Sequence, residues 1–353
     1  MGTRSSSPEL AIGTVATCSH LAFARVLGAT LAEHHPELTL QLLLTDEPRD
    51  GIPAADEPFT TISLSALGRT DLPSTCFRMG AHQLASLGKP WLLRHMLDQG
   101  HPSALYLDAD MLVTGDLAPL LDRVRRHALV LTPHLVGPEA AERELYVLRA
   151  GAYNAGVVGV TDRPELRRFL DWWQHRIRTL PGVDLERGLH NDQGWLDLAP
   201  GFVEDLHVVR HLGVNVGHWA LPGRLDADPE PRLVHFSGFD PLTPERLSRH
   251  DAQLQVDALK ALQDDYARRL LSAGHDELRR EPYGFASYDD GAPIPDAARQ
   301  AHLALGTAAA EYGDPFRSGS GTFRAWFGEQ EKGRCQQRPR LRERRDSNPR
   351  PPA

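Results

Sequence analysis

From residue 11 to about residue 244 the chain alternates short apolar runs with amphipathic helical stretches, and this alternation restricts the fold more than any single motif. Residues 11–17 are apolar and β-branched, residues 21–34 repeat apolar side chains at helical spacing, and residues 38–44 are again strand-like. A helix over Lys89–Gln99, stopped by Gly100 and Pro102, leads into a strand at Ala104–Leu107. Strands follow at His127–Leu131 and Tyr153–Val160. The amphipathic stretch Pro164–Thr179 carries the adjacent Trp172 and Trp173, only one of which can face a core. Such a series predicts an α/β fold with a doubly wound, mostly parallel sheet, whose ligands bind beyond the carboxyl ends of the strands.

Around this domain, taken as residues 10–244, the texture changes. Residues 1–9 read as a disordered leader, residues 245–328 as a helical C-terminal appendage, and residues 329–353 as a disordered basic tail. The tail contains Asp346-Ser-Asn-Pro349, which is encodable as the antisense of a transfer-RNA T-arm, so translated read-through is one expectation for it. Residues 331–353 hold eight basic residues against three acidic ones, leaving 31 against 44, a net −13, on residues 1–330. An acidic body lacks the footprint that nucleic acid requires, but it suits a protein that recruits a divalent cation before a polyanion. Three cysteines at no metal-ligand spacing, no apolar leader and no long apolar run point to a cytoplasmic protein without a membrane span.

The chemistry concentrates at Asp108-Ala-Asp110, which ends the apolar run Ala104-Leu-Tyr-Leu107. Carboxylates two residues apart at a strand end can project to one face and hold Mg²⁺ or Mn²⁺. A chain of this length contains on the order of one Asp-x-Asp by chance, and Asp226-Ala-Asp228 recurs in a polar, Pro-rich loop. Context therefore favours the first as a metal site over simple strand-end caps. His235 lies on a second apolar run, where a lone histidine is ordinarily a hydrogen-bonded core residue. Ser237 and Gly238 after it allow close backbone approach to phosphate. Asn154 opens Tyr153-Asn-Ala-Gly156, either a turn or a place where a sugar meets the backbone. Asp192 and Gln193 precede Trp195, either orienting a sugar or capping a helix. Lys89 is either a diphosphate or donor-hydroxyl ligand or a plain surface lysine.

Taken together, Cys18-Ser-His-Leu, Lys89-Pro-Trp-Leu-Leu-Arg94, Tyr106-Leu-Asp-Ala-Asp110, Tyr153-Asn-Ala-Gly156, Asn191-Asp-Gln-Gly-Trp195 and Val234-His-Phe-Ser-Gly238 resemble bacterial GT-A-fold nucleotide-sugar glycosyltransferases of the glycogenin and lipopolysaccharide galactosyltransferase type. The resemblance spans roughly residues 11–328. It implies Asp108, Asp110 and His235 as ligands of Mn²⁺ or Mg²⁺, and Lys89, Asn154, Ser237 and Gly238 as donor-binding residues. Asp192 and Gln193 correspond to the pair nearest the reacting carbon. The glycogenin-like pattern continues after His-x-x-Gly with Lys-Pro-Trp; here Gly238 precedes Phe239-Asp-Pro-Leu242, so another basic residue, such as Arg210 or Lys89, must meet the diphosphate.

The expectation is a metal-dependent transferase moving a sugar from a nucleotide-sugar, a UDP-sugar first, to a glycan, lipid or small-molecule acceptor. Paired carboxylates also serve nucleotidyltransferases and sugar-nucleotide hydrolases, but these call for a Gly- and Lys/Arg-rich loop after the first strand, which residues 16–20 do not supply. A non-catalytic sugar-nucleotide-binding module is the third reading, motivated by the missing lysine. Donor sugar, base, acceptor, stereochemistry and oligomeric state are not encoded in recognisable form.

Overall fold

The computed structural model describes residues 9–47, 51–210, 213–221, 230–251, 254 and 256–337. The leader to residue 8, the second Asp-Ala-Asp at 226–228 and the tail from residue 338 lie outside the described residues. Two compact units divide the chain, Met1–Ala286 and Ser287–Ala353.

In the first unit the strands are β1 (Leu10–Ala16), β2 (Leu40–Leu44), β3 (Phe59–Ser63), β4 (Ser103–Leu107), β5 (Met111–Val113), β6 (Leu129–Pro133), β7 (Tyr153–Thr161), β8 (Val183–Asp184), β9 (Leu189–His190), β10 (Leu206–Val208), β11 (Val214–Gly217) and β12 (Leu233–His235). Helices α1 (Leu21–His34), α2 (Leu72–Arg78), α3 (Ala81–Asp98), α4 (Ala118–Arg126), α5 (Ala141–Ala150) and α6 (Pro164–Thr179) alternate with them. The main sheet has the order β10-β6-β7-β4-β1-β2-β3, and β7 alone runs against its neighbours. The expected doubly wound, mostly parallel sheet is therefore present. Its strands are apolar on both faces because helices cover both. Ile12 and Leu42 pack in the cluster that contains Leu27 and Leu31 of α1, while Gly13 on the opposite face lies under Leu92 of α3.

A second sheet, β11-β12-β5, sets β12 antiparallel to β5 with His235 opposite Met111. Behind it the helix Asp257–Ser272 places Tyr266 against Phe236, ring centroids 4.2 Å apart and nearly parallel. That helix belongs to the first unit and shares its apolar core through Leu259, Tyr266 and Leu270.

Helix α3 begins eight residues before the expected Lys89 start. Gly88-Lys-Pro reads as a helix opening because proline suits the first turn, yet the buried face of Leu84, Leu87 and Trp91 carries the helix through Pro90 at the loss of one backbone hydrogen bond. Lys89 thereby sits in mid-helix. Gly88 lets α3 approach β1 and β2, since a Cβ there would lie 2.9 Å from a Val15 methyl and 3.0 Å from Thr45.

The second unit packs the helices Asp296–Leu305 and Phe323–Gln337 around Phe323, which is fully buried and meets the His302 ring edge-on at 4.8 Å. Arg324 pairs with Asp290 and covers the Tyr288 ring at 4.6 Å.

Overpacking at the α3–β1 contact is expected to be felt in full. A Gly88→Val variant should lose about 1–3 kcal/mol in urea denaturation, and wild-type stability there would show that α3 can shift away from the sheet.

Candidate functional site

Strand β4 delivers Asp108 to the carboxyl edge of the main sheet, and the chain turns at once into β5, with the Met111 amide donating to the Asp108 carbonyl at 3.2 Å. The Asp108 amide itself donates to the Gly156 carbonyl of β7 at 2.8 Å, which fixes the turn to the sheet. Strand β12 then brings His235 alongside, because its register against β5 is tied off by the Phe236 amide donating to the Asp110 carbonyl at 2.9 Å. Asp108, Asp110 and His235 each present one ligand atom, all within 4.8 Å of one another. His235 Nε2 stands 3.1 Å from Asp110 Oδ1 and 3.7 Å from Asp108 Oδ2. Two carboxylates and one imidazole are the donor set that Mn²⁺ accepts, so the residues present fit such an ion.

The imidazole is oriented by a buried polar network. His235 Nδ1–H donates to Asn215 Oδ1 at 2.9 Å, which leaves Nε2 aimed at the carboxylates. Asn215, fully buried on β11, donates through Nδ2 to Thr132 Oγ1 at 2.6 Å and to Asn154 Oδ1 at 3.0 Å. Asn154 in turn donates to Gln193 Oε1 at 3.2 Å, and Gln193 donates to the Ala150 carbonyl at 2.8 Å. Asn215 holds φ 56°, a left-handed conformation that asparagine adopts more readily than most residues. Gly156 makes room for the ring: a Cβ there would lie 2.6 Å from His235 Cε1. Trp219 presses edge-on against the same ring at 5.0 Å, its own indole lying over Gly217.

Opposite the histidine, Lys89 Nζ lies 2.9 Å from Asp108 Oδ1 and 2.9 Å from Asp192 Oδ2, and donates to the Ala155 carbonyl at 3.3 Å. Its surface-lysine reading is excluded by burial; only 11% of the side chain is exposed. Tyr106 donates its hydroxyl to Asp108 Oδ1 at 2.6 Å. The Asp192 backbone is held by Trp173, whose indole N–H donates to its carbonyl at 2.8 Å. Trp173 is thus the buried member of the tryptophan pair, while half-buried Trp172 lies tilted against Phe202, centroids 4.5 Å apart. The 3-10 turn that follows starts at Gly194 and has no side-chain cap, so the carboxylate of Asp192 is turned to Lys89 and not to a helix end.

Burial would lower the Lys89 ammonium, but Asp108 and Asp192 outweigh it and raise it above the ordinary lysine range. Likewise burial disfavours the charged form of His235, yet Asp110, and Asp108 behind it, raise the imidazole above its usual 6.5. Burial pushes the Tyr106 phenol up, reinforced by Asp108.

Seven of the residues expected from sequence therefore converge: Lys89, Asp108, Asp110, Asn154, Asp192, Gln193 and His235. Ser237 and Gly238 follow β12 after Phe236, Gly238 with φ 75°. Arg210 lies exposed beyond edge strand β10 and pairs with none of these carboxylates among the described residues. Sequence reasoning missed Asn215, Trp219 and Tyr106. The signal for Asn215 was an amide within the apolar Val214-Asn-Val216, a polar group that a buried strand must satisfy.

No family model matches the chain. The Bacillus subtilis (strain 168) protein YfnD, described as uncharacterized, is 23% identical over 252 residues, covering 67% of this chain and 79% of that one. YfnF of the same strain, also described as uncharacterized, is 24% identical over 204 residues, 52% of this chain and 66% of that one. Among solved structures, the galactosyltransferase LgtC in complex with donor and acceptor sugar analogs aligns with TM-score 0.46 at 14% identity, covering 74% of this chain and 95% of that one. The Streptococcus pneumoniae TIGR4 glycosyltransferase GlyE aligns with TM-score 0.41 at 15% identity, covering 79% and 67%. Likeness of this extent leaves the function to be read from the side chains.

An Asn215→Ala change strands the donor at His235 Nδ1 and should lower Mn²⁺ affinity about 10- to 100-fold by isothermal titration; unchanged affinity would free the histidine from its buried partner. Because Asp110 holds the His235 proton above the usual imidazole range, a metal ion bound through Nε2 would have to displace that proton. Mn²⁺ affinity should therefore rise with pH through the neutral range, with proton release seen as buffer-dependent binding heats; affinity flat from about pH 6 to pH 8 would remove His235 from the ligand set.

Proposed function

We propose that this chain is a metal-dependent glycosyltransferase that moves a sugar from a nucleoside-diphosphate donor, most simply a UDP-sugar, to a glycan or small-molecule acceptor. The observation that carries the reading is the convergence of Asp108, Asp110 and His235 at the carboxyl edge of the sheet, with Asp192 reached from Asp108 through the shared Lys89. When bound, a Mn²⁺ or Mg²⁺ ion supplies Lewis-acid neutralisation of the departing diphosphate. The sequence resemblance to GT-A enzymes supports the same assignment, and a cytoplasmic working place belongs to it.

The protein groups divide the remaining work. Lys89 offers a positive charge between the diphosphate side and the sugar side of the site. Asp192, buried and fixed through Trp173, is placed to stabilise positive charge developing at the anomeric carbon. Gln193 and Asn154, locked in one network, position the donor sugar without rotamer search. The resemblance favours retention of configuration over inversion; in an inverting enzyme Asp192 would instead accept the proton of the acceptor hydroxyl.

Thermal shift with a panel of nucleotide-sugars, with and without Mn²⁺, tests the proposal. A cognate donor at about one hundred times its Kd should add about 2.7 kcal/mol in the presence of metal, and Asp110→Ala should abolish the metal-dependent part. Metal-dependent binding with neither transfer nor hydrolysis would favour a binding module, and nucleotide release without an acceptor would favour a hydrolase. A shift that survives in Asp110→Ala would overturn the metal assignment.

A further inference from the structure

The formal charges of the site leave a diphosphate short of partners. Asp108, Asp110 and Asp192 carry three negative charges, which Lys89 and a divalent ion together only cancel. The Lys-Pro-Trp that the resemblance leads one to expect after Gly238 is absent, and Phe239-Asp-Pro-Leu242 follows instead. What lies against Gly238 comes from further along the chain. The Ser248 hydroxyl donates to the Ser237 carbonyl at 2.7 Å, the Arg249 amide donates to the Gly238 carbonyl at 3.0 Å, and the His250 amide donates to Ser248 Oγ at 3.1 Å. These bonds lay residues 248–250 directly on the loop that follows the metal-ligand histidine.

The contact is close enough to require glycine. Gly238 has φ 75°, and a Cβ on it would lie 2.6 Å from His250 Cδ2 and 3.0 Å from Arg249 Cγ. The His250 ring stacks on His218 with centroids 5.6 Å apart, and His218 meets Trp219, the residue that packs on His235. Arg249 and His250 are both exposed, and neither side chain has a hydrogen-bond or ion-pair partner among the described residues.

We propose that Arg249, assisted by His250, is the diphosphate-binding cation of this site, completing with the Ser237–Gly238 backbone a cradle that takes the place of the missing lysine. An arginine fork matches two phosphate oxygens at once, and the fold-back supplies it from a loop where a lysine on the His-x-x-Gly turn would otherwise stand. The proposal rests on the nucleoside-diphosphate reading above and specifies the group that holds the leaving diphosphate.

Isothermal titration of the full chain with saturating Mn²⁺ tests it, using UDP, ADP, GDP, CDP, the matching monophosphates and inorganic pyrophosphate as probes. For the diphosphate that binds wild type, Arg249→Gln should raise Kd about 10- to 100-fold, with partial recovery in Arg249→Lys and a further loss in Arg249→Gln/His250→Gln. The monophosphate should lose less than the diphosphate, and the Kd for Mn²⁺ alone should stay at its wild-type value. Diphosphate affinity within about twofold of wild type in Arg249→Gln would overturn this inference alone, as would an equal loss of Mn²⁺ binding, which would mark the arginine as structural. Failure of every diphosphate to bind the wild-type protein would overturn the nucleotide-sugar reading and this inference with it.

Discussion

The antiparallel pairing of β12 with β5 is the constraint from which the site follows. Met111 begins β5 one residue after Asp110, and it stands opposite His235 in the register. A slip of one residue would turn the histidine to the other face and leave the two carboxylates without the imidazole beside them. The pairing is held at its end by the Phe236 amide on the Asp110 carbonyl and from behind by Tyr266 stacked on Phe236. A helix near residue 266 thus stabilises a site whose first carboxylate is at residue 108.

The same logic governs the opposite wall. Lys89 is brought to Asp108 and Asp192 because α3 lies close on β1, a closeness that Gly88 and Gly13 permit. Burying an ammonium is costly unless carboxylates surround it, and two do. The site is therefore a set of opposed charges, buried or half-buried, each tolerated because of the others. Removing one member leaves its partner uncompensated, which is why stability and binding must be measured together on any variant here.

Much of the fold could be read from the sequence because apolar runs and amphipathic helices of ordinary length are local signals. Strands near 10, 40, 104 and 153 and the helix Pro164–Thr179 lie where the periodicity puts them. The start of α3 did not, since Pro90 mimics a helix opening and only tertiary burial of Leu84 and Leu87 reveals otherwise. Asp108, Asp110 and Lys89 stand out locally, whereas the role of His235 became legible only through resemblance. Asn215 and Arg249 were illegible for a different reason. Their partners, His235 and Gly238, are fixed by strand pairing and by a loop fold-back that no local spacing encodes.

One consequence of the Asn215–Asn154–Gln193 chain concerns how such a protein can change over time. The atom that orients the His235 imidazole and the Gln193 amide are members of a single run of hydrogen bonds. In the proposed transferase, donor preference and cation affinity would therefore not be independent traits. A lineage that altered Gln193 to accept a different sugar would retune its grip on the ion in the same step, so compensating changes at Asn154 or Asn215 should accompany shifts in specificity among descendants of this scaffold.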